Sequence, residues 1–249
     1  ADHASRFDYV VLHGDEPIGS HRVNVKGEGN EFEIEVESDL EVRFGPLTVF
    51  RFEHQRLELW RDGELVESVA QTTKNGEFYD IKITRQATGY KRAVNGREDE
   101  FEDPVKVLAL WHGDLFVHNF FISPMEDKLY RVSVRFVDEE RIEIGDQRVQ
   151  AFHYRMTGDS ERELWYDEAG HVLKVRLYDY VLVIDYVLDR GDLRAVLESR
   201  SRQKLHPFRT DNRQPLLRWF DPSSLRHGAV SLMRTSLQST RSRDAQAAS

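Results

Sequence analysis

The chain has 249 residues and not one cysteine. That excludes disulfides, thiolate nucleophiles and sulfur-bound metals, and is neutral as to redox compartment. Long apolar runs are missing as well: none approaches the ~20 residues a membrane-spanning helix requires. There is no Gly-x-Ser-x-Gly elbow, no Gly-rich phosphate loop leading into a helix and no dinucleotide fingerprint. Neither the strand–helix alternation of a parallel α/β fold nor a short-period repeat is present.

Charge is abundant, and unevenly spread. The formal total is −9, yet from Arg202 onward nine Lys/Arg stand against three Asp. The tail therefore carries +6 and residues 1–201 carry −15. An acidic body argues against a nucleic-acid partner. A basic tail argues for a protein partner or an anionic membrane surface. The chain opens "ADHASRF" without Met, the form expected of an exported protein whose signal peptide has been removed.

Period-two alternation dominates residues 6–188. In "FEIEVESDLEVRF" the apolar residues Phe32, Ile34, Val36, Leu40, Val42 and Phe44 fall on even positions and charged residues fill the odd ones, which predicts a strand with one dry face. "YRVSVRF" repeats the pattern with Tyr130, Val132, Val134 and Phe136 inside. Ten turn signals separate such runs: "HGDEP", "GEGN", "FGPL", "RDGE", "KNGE", "VNGR", "GDQR", "TGDS", "DEAGH" and "DRGD". Several are Asn-Gly or Asp-Gly pairs, which supply the positive φ of a tight hairpin. The spacing predicts an antiparallel meander of about ten or eleven strands.

Residues 102–124 break this rhythm. Asp103 is placed to cap a helix with Pro104 at its first position, and Val107, Leu108 and Trp111 would share a face, so a short helical plug is expected there. After Leu188, "GDLRAVLESRSRQ" suits a helix capped by Asp192, and Asp221-Pro222 begins a basic amphipathic segment. The expected organisation is a curved β domain over residues 1–201 and a basic, partly helical tail over residues 202–249.

The phrases "ELWRDGELVESV" (58–69) and "ELWYDEAGHVLKVRL" (163–177) echo one another. Each has Glu-Leu-Trp-x-Asp, then Gly, then an apolar strand. The shared frame reads as hairpin punctuation, with Trp60 and Trp165 capping the core at equivalent strand ends, rather than as chemistry used twice.

Candidate site residues are few. His112, Asp114 and His118 are types that suit zinc or iron. Their spacing matches neither a helical i,i+4 pair nor alternate strand positions, so no metal or cofactor is expected. Trp111, Phe116, Phe120 and Phe121 in the insertion could line a hydrophobic or lipid pocket over the concave face. Asp185, set among apolar neighbours in "YVLVIDYVL", is either a partly buried ligand-binding acid or the ladder partner of an Arg on the next strand. In the tail, Leu216, Leu217, Arg218, Trp219 and Phe220, followed by Arg226, Leu232, Met233 and Arg234, are candidate anchors for a partner.

The blocks "FDYVVLHGDEPIGSHRVNV", "TVFRFEHQRLELWRDGELVESVAQTTKNGEFYDIKI" and "YRMTGDSERELWYDEAGHVLKVRL" resemble an uncharacterised family of exported proteobacterial β proteins. Its members are in turn similar to the half-barrel fold of the Lol lipoprotein-localisation carriers. The resemblance spans about residues 6–188 and implies a strongly curved sheet round a short helical plug and a periplasmic or cell-envelope location, and it brings no established catalytic residues to carry over. The tail is longer than that family's usual ending. Two functions follow as expectations. One is a non-catalytic half barrel holding a hydrophobic or acyl ligand. The other is a subunit of an envelope assembly bound through its basic tail. An enzyme of unknown reaction stands third.

Overall fold

The computed structural model describes residues 3–179 and 182–189. Asp62, Asn75 and Asn95 adopt φ of 52°, 51° and 49°, and each is followed by a glycine at positive φ. Two consecutive left-handed residues form the hairpin turn whose twist matches that of the flanking strands. These turns, with the Gly-containing ones between them, convert the alternating runs into strands β1 (His3–His13), β2 (Glu16–Glu28), β3 (Glu31–Phe44), β4 (Leu47–Arg61), β5 (Glu64–Lys74), β6 (Glu77–Arg85), β7 (Tyr90–Val94) and β8 (Arg97–Phe101). The second half supplies β9 (Lys106–Val107), β10 (Phe120–Ile122), β11 (Leu129–Ile144), β12 (Gln147–Gly158), β13 (Glu161–Tyr166), β14 (Val172–Asp179) and β15 (Leu182–Leu188).

All fifteen join one curved sheet in the order β8-β7-β6-β5-β4-β3-β2-β1-β15-β14-β13-β12-β11-β10-β9. The chain meanders outward from β1 to β8, crosses to the far edge, and returns until β15 pairs antiparallel with β1, from Tyr9↔Leu188 to His13↔Ile184. Only β9 and β10 pair in parallel. The edges β8 and β9 do not pair with each other, so the barrel stays open. Side chains tie the two halves instead. Arg92 on β7 reaches the Lys128 carbonyl at 3.2 Å and Asp127 at 2.8 Å, and Lys106 on β9 lies 3.2 Å from Glu64 on β5.

The sheet has more strands than the turn signals suggest, partly because the insertion contributes β9 and β10. The helix expected from Asp103 does not form. Arg85 claims both Asp103 oxygens, at 3.0 and 3.1 Å, and the Gly89 N–H donates to the same carboxylate, so it cannot cap. Val107 and Leu108 then pack into different clusters, as neighbours in extended chain do. The helical element of the insertion is a single 3-10 turn, Gly113–Phe116, capped by His112, whose Nδ1 accepts the Asp114 N–H. The helices expected in the tail lie outside the described residues.

Burial follows the alternation of β3. Ile34, Val36, Leu40 and Val42 are buried, whereas Glu33, Glu37 and Asp39 are exposed. Phe44 departs from it at 80% exposure, because a register shift after Val42 re-aims the end of the hairpin. Phe136 is exposed next to a similar shift. Trp60 and Trp165 are both buried, and each indole N–H donates to a carboxylate, Glu58 at 2.9 Å and Glu140 at 2.7 Å. Their surroundings are not equivalent. Trp60 joins Ile34, Val36 and Trp111, but Trp165 stacks on His153 at 4.4 Å and packs with Phe7, Ile144 and Leu173. The parity of the two frames explains this: Leu164 and Tyr166 point inward, leaving Trp165 on the other side, whereas Trp60 is itself the inward residue.

Candidate functional site

β4 builds the middle of the concave wall. Its sequence "FRFEHQRLELW" alternates so that Phe50, Phe52, His54, Arg56, Glu58 and Trp60 all face inward. Three of those inward residues are polar, in a register otherwise reserved for the core. Glu58 is 0% exposed and His54 2%. Arg56 Nε sits 2.9 Å from Glu58 Oε1, and the other Glu58 oxygen receives the Trp60 indole. A buried pair of this kind survives desolvation only with such added hydrogen bonds.

Strand register extends the polarity sideways. Tyr9, His21, Ser38, His54 and Thr72 occupy one transverse row across β1 to β5. His21 Nδ1 lies 2.6 Å from Ser38 Oγ, and His54 Nδ1 lies 2.8 Å from Thr72 Oγ1. His54 Nε2 is buried with no hydrogen-bond partner among the described residues. Burial, reinforced by the Arg56 charge, pushes the His21 pKa down to about 3. Burial, Arg56 and His21 together hold His54 well below the usual histidine range. Both rings are therefore neutral at ordinary pH.

This row borders a cavity of about 600 Å³ that lies open within the curve of the sheet, inside the range of about 300–1,000 Å³ common for small-molecule sites. Val23, Val25, Ile34 and Val36 form an apolar stretch of its wall, and Leu108, Leu110 and Trp111 of the insertion, with Met125 just after it, also line it. Tyr130, Arg162, Val175, Leu177 and Tyr186 supply the opposite side. At the rim, Lys74 stands 4.0 Å from Glu126 and 3.8 Å from Asp179. Burial acts to raise the Glu126 pKa, but the Tyr130 hydroxyl, Lys74 and Lys128 hold it below the usual value.

Of the aromatic candidates, Trp111 lines this cavity and meets Trp60 edge-on at 4.6 Å. Phe121 is buried in the neighbouring core, Phe116 packs against that core and contacts Tyr154 and Tyr166, and Phe120 is exposed beneath Arg131; none of the three lines the cavity. Asp185 is not in the wall either. Ile184 and Tyr186 take the inward positions, and the Asp185 carboxylate accepts from Arg176 Nε and Nη2, at 2.7 and 2.8 Å. Burial would raise its pKa, but that hydrogen bonding and Lys174 hold it low, so Asp185 is a ladder partner. Asp114 does lie between His112 and His118, at 3.4 and 3.8 Å, but among the described residues no three such groups are arranged to hold a metal. Leu216, Leu217, Arg218, Trp219, Phe220, Arg226, Leu232, Met233 and Arg234 lie outside the described residues.

Sequence reasoning missed His21, His54, Arg56, Glu58 and Arg162. The signal was present in β4: extending the parity of Phe50, Phe52 and Trp60 to positions 54, 56 and 58 places three polar groups on the dry face.

Fold and site together define an open, strongly curved antiparallel β half barrel with an internal, mixed apolar and polar cavity. The chain belongs to the family described as Domain of unknown function (DUF6134), which matches residues 9–189. A similar solved structure is the crystal structure of a beta-barrel-like protein of domain of unknown function DUF1849 from Brucella abortus. It aligns with a TM-score of 0.55 and 9% identity over 75% of this chain and 95% of that one, a likeness of fold. No curated protein matches the chain. No helix among the described residues is long and apolar enough to cross a membrane.

Proposed function

We propose that this protein is a non-catalytic binding module of the cell envelope that holds a hydrophobic or acyl ligand in its half barrel. The observation that carries the proposal is the cavity of about 600 Å³, walled by aliphatic residues along β2 and β3 and lined in part by the insertion. The hydroxyl–imidazole pairs do not support an enzyme. A general base works best with a pKa near the operating pH, whereas that of His21 is pushed down to about 3. The envelope location is supported by the resemblance of residues 6–188 to exported β proteins. The test is native mass spectrometry of the purified full chain, followed by titration of the delipidated protein with a fluorescent acyl probe. Saturable binding that is lost in Val23→Trp, which fills the cavity wall, is expected. No saturable binding, or binding indifferent to Val23→Trp, refutes the proposal.

A further inference from the structure

Among the described residues, three of the four Lys/Arg side chains that line the cavity have a carboxylate beside them. Arg56 pairs with Glu58, Lys74 lies near Glu126 and Asp179, and Lys128 stands 3.1 Å from Glu126. Arg162 is the fourth. It is 9% exposed, and its hydrogen bond is made by Nε to the Ser160 hydroxyl at 3.1 Å; no carboxylate of the described residues pairs with it. A guanidinium on a largely buried side chain is ordinarily compensated by a fixed negative charge. Here it faces a cavity.

The placement of Arg162 follows from register. It pairs with Leu177 on β14, and Leu177 pairs with Ile184 on β15, so all three fall on the cavity side. Three tyrosines lie close enough for its charge to favour their phenolates, although burial raises each pKa more strongly. Two of those hydroxyls are committed. Tyr130 donates to Glu126, and Tyr166 donates to the Leu110 carbonyl at 2.6 Å. Tyr186, also in the wall, has no hydrogen-bond partner for its hydroxyl among the described residues, and its ring meets His21 edge-on at 5.4 Å. A buried cation and an uncommitted O–H donor thus occupy one side of the cavity, with Val23, Val25, Ile34 and Val36 beyond them.

We propose that Arg162 is the head-group anchor of the site and that the ligand is a long-chain carboxylate. Its two oxygens take the planar guanidinium fork, the geometry that arginine matches bidentately, with the Tyr186 hydroxyl as a further donor. The chain lies along the aliphatic wall. This assignment rests on the acyl-binding reading above and adds to it the charge of the ligand.

The experiment titrates the full-length, delipidated protein with dodecanoate and with dodecanol, which share a chain and differ at the head. Dodecanoate is expected to bind roughly ten- to a hundredfold more tightly, the range that a charge-assisted hydrogen bond supplies. Arg162→Gln should remove most of that advantage and leave dodecanol within about twofold of its wild-type affinity, and Arg162→Lys should restore part of it. If the two probes bind equally to the wild-type protein, the anchor is wrong and the cavity reading stands. If neither binds, the cavity reading fails and the anchor with it. An Arg162→Gln protein that loses both probes alike overturns the assignment, because a head-group contact acts on one probe only. Should that variant not fold, the wild-type comparison decides alone.

Discussion

Acidification should loosen the inner wall of this barrel well before it protonates ordinary carboxylates. His21 titrates near pH 3 in the folded protein instead of near 6.5, because burial disfavours its charged form and Arg56 adds repulsion. The unfolded chain therefore takes up a proton through the window between those two values while the native state does not. Stability is then fully present above about pH 6.5 and is lost as pH falls toward 3. Over the interval from about pH 7.5 to about pH 5, linkage gives roughly 2 kcal/mol for this one group. His54, shifted in the same direction by burial, Arg56 and His21, adds to the same slope. The assay is urea denaturation followed by tryptophan fluorescence at several pH values across that interval, on the wild type and on His21→Gln and His54→Gln. Glutamine keeps a hydrogen-bonding group beside Ser38 or Thr72 and removes the titration. Each variant should flatten the pH dependence, and the double variant most of all. If the double variant loses stability as steeply as the wild type, the two rings are not held neutral by their surroundings.

Four further outcomes are expected. Trp60→Ala and Trp165→Ala should each destabilise by about 3–5 kcal/mol, as truncation of large buried aromatics does, so a stable Trp165→Ala protein that lost one specific activity would restore an active-site role to that frame. Gly76→Ala should cost about 1–2 kcal/mol for a left-handed alanine; Gly89→Ala should cost clearly more, because an added Cβ would lie 1.8 Å from the Phe101 carbonyl oxygen whereas none of its neighbours obstructs Gly76, and equal melting temperatures would refute this. Asp185→Asn should cost only about 1 kcal/mol, as for other partly exposed ion pairs, and leave acyl-probe binding unchanged; lost binding would return Asp185 to the site. Deleting residues 203–249 removes none of the fifteen described strands, so the melting temperature should hold while recovery with anionic vesicles or with a co-purifying protein is lost; a large fall in melting temperature would make the tail part of the fold.

The sheet was legible in the sequence because its instructions are local. A pair such as Asn75-Gly76 specifies its own backbone, and the strands on either side inherit their register from it. The insertion was less legible because its cue depended on a distant competitor. Asp103-Pro104 is a sound helix start until Arg85, eighteen residues away, claims the carboxylate. The site was legible in part. Alternation placed Asp185 correctly relative to its neighbours, and the ladder partner weighed for it is Arg176. The same alternation was not carried into β4, where His54, Arg56 and Glu58 look like ordinary charged residues until their parity is compared with Phe52 and Trp60. Arg162 gave no signal of that kind, because its isolation from carboxylates is a property of three dimensions.

Why the interior should be hollow at all follows from the number of strands. A closed barrel of about eight strands leaves an interior that its own side chains just fill. Fifteen strands curving the same way enclose more, and something must occupy the difference. The insertion takes part of it: Val107, Ala109, Trp111 and Ile122 pack against Ile34, Val36, Trp60 and Ile83 at one end. At the level of His21 and His54 no such filling occurs, and the inward positions there are polar where aliphatic residues would pack more cheaply. A sequence adapted only for a solid core would have placed Leu or Val at 54, 56 and 58, and paired or replaced the arginine at 162. Retaining buried polar groups around a void costs stability; under the proposed function, a bound ligand offsets that cost by completing the hydrogen bonds and neutralising the charge. Occupancy should accordingly raise the melting temperature of the wild-type protein more than that of Arg162→Gln, a difference that a filled and inert barrel would not show.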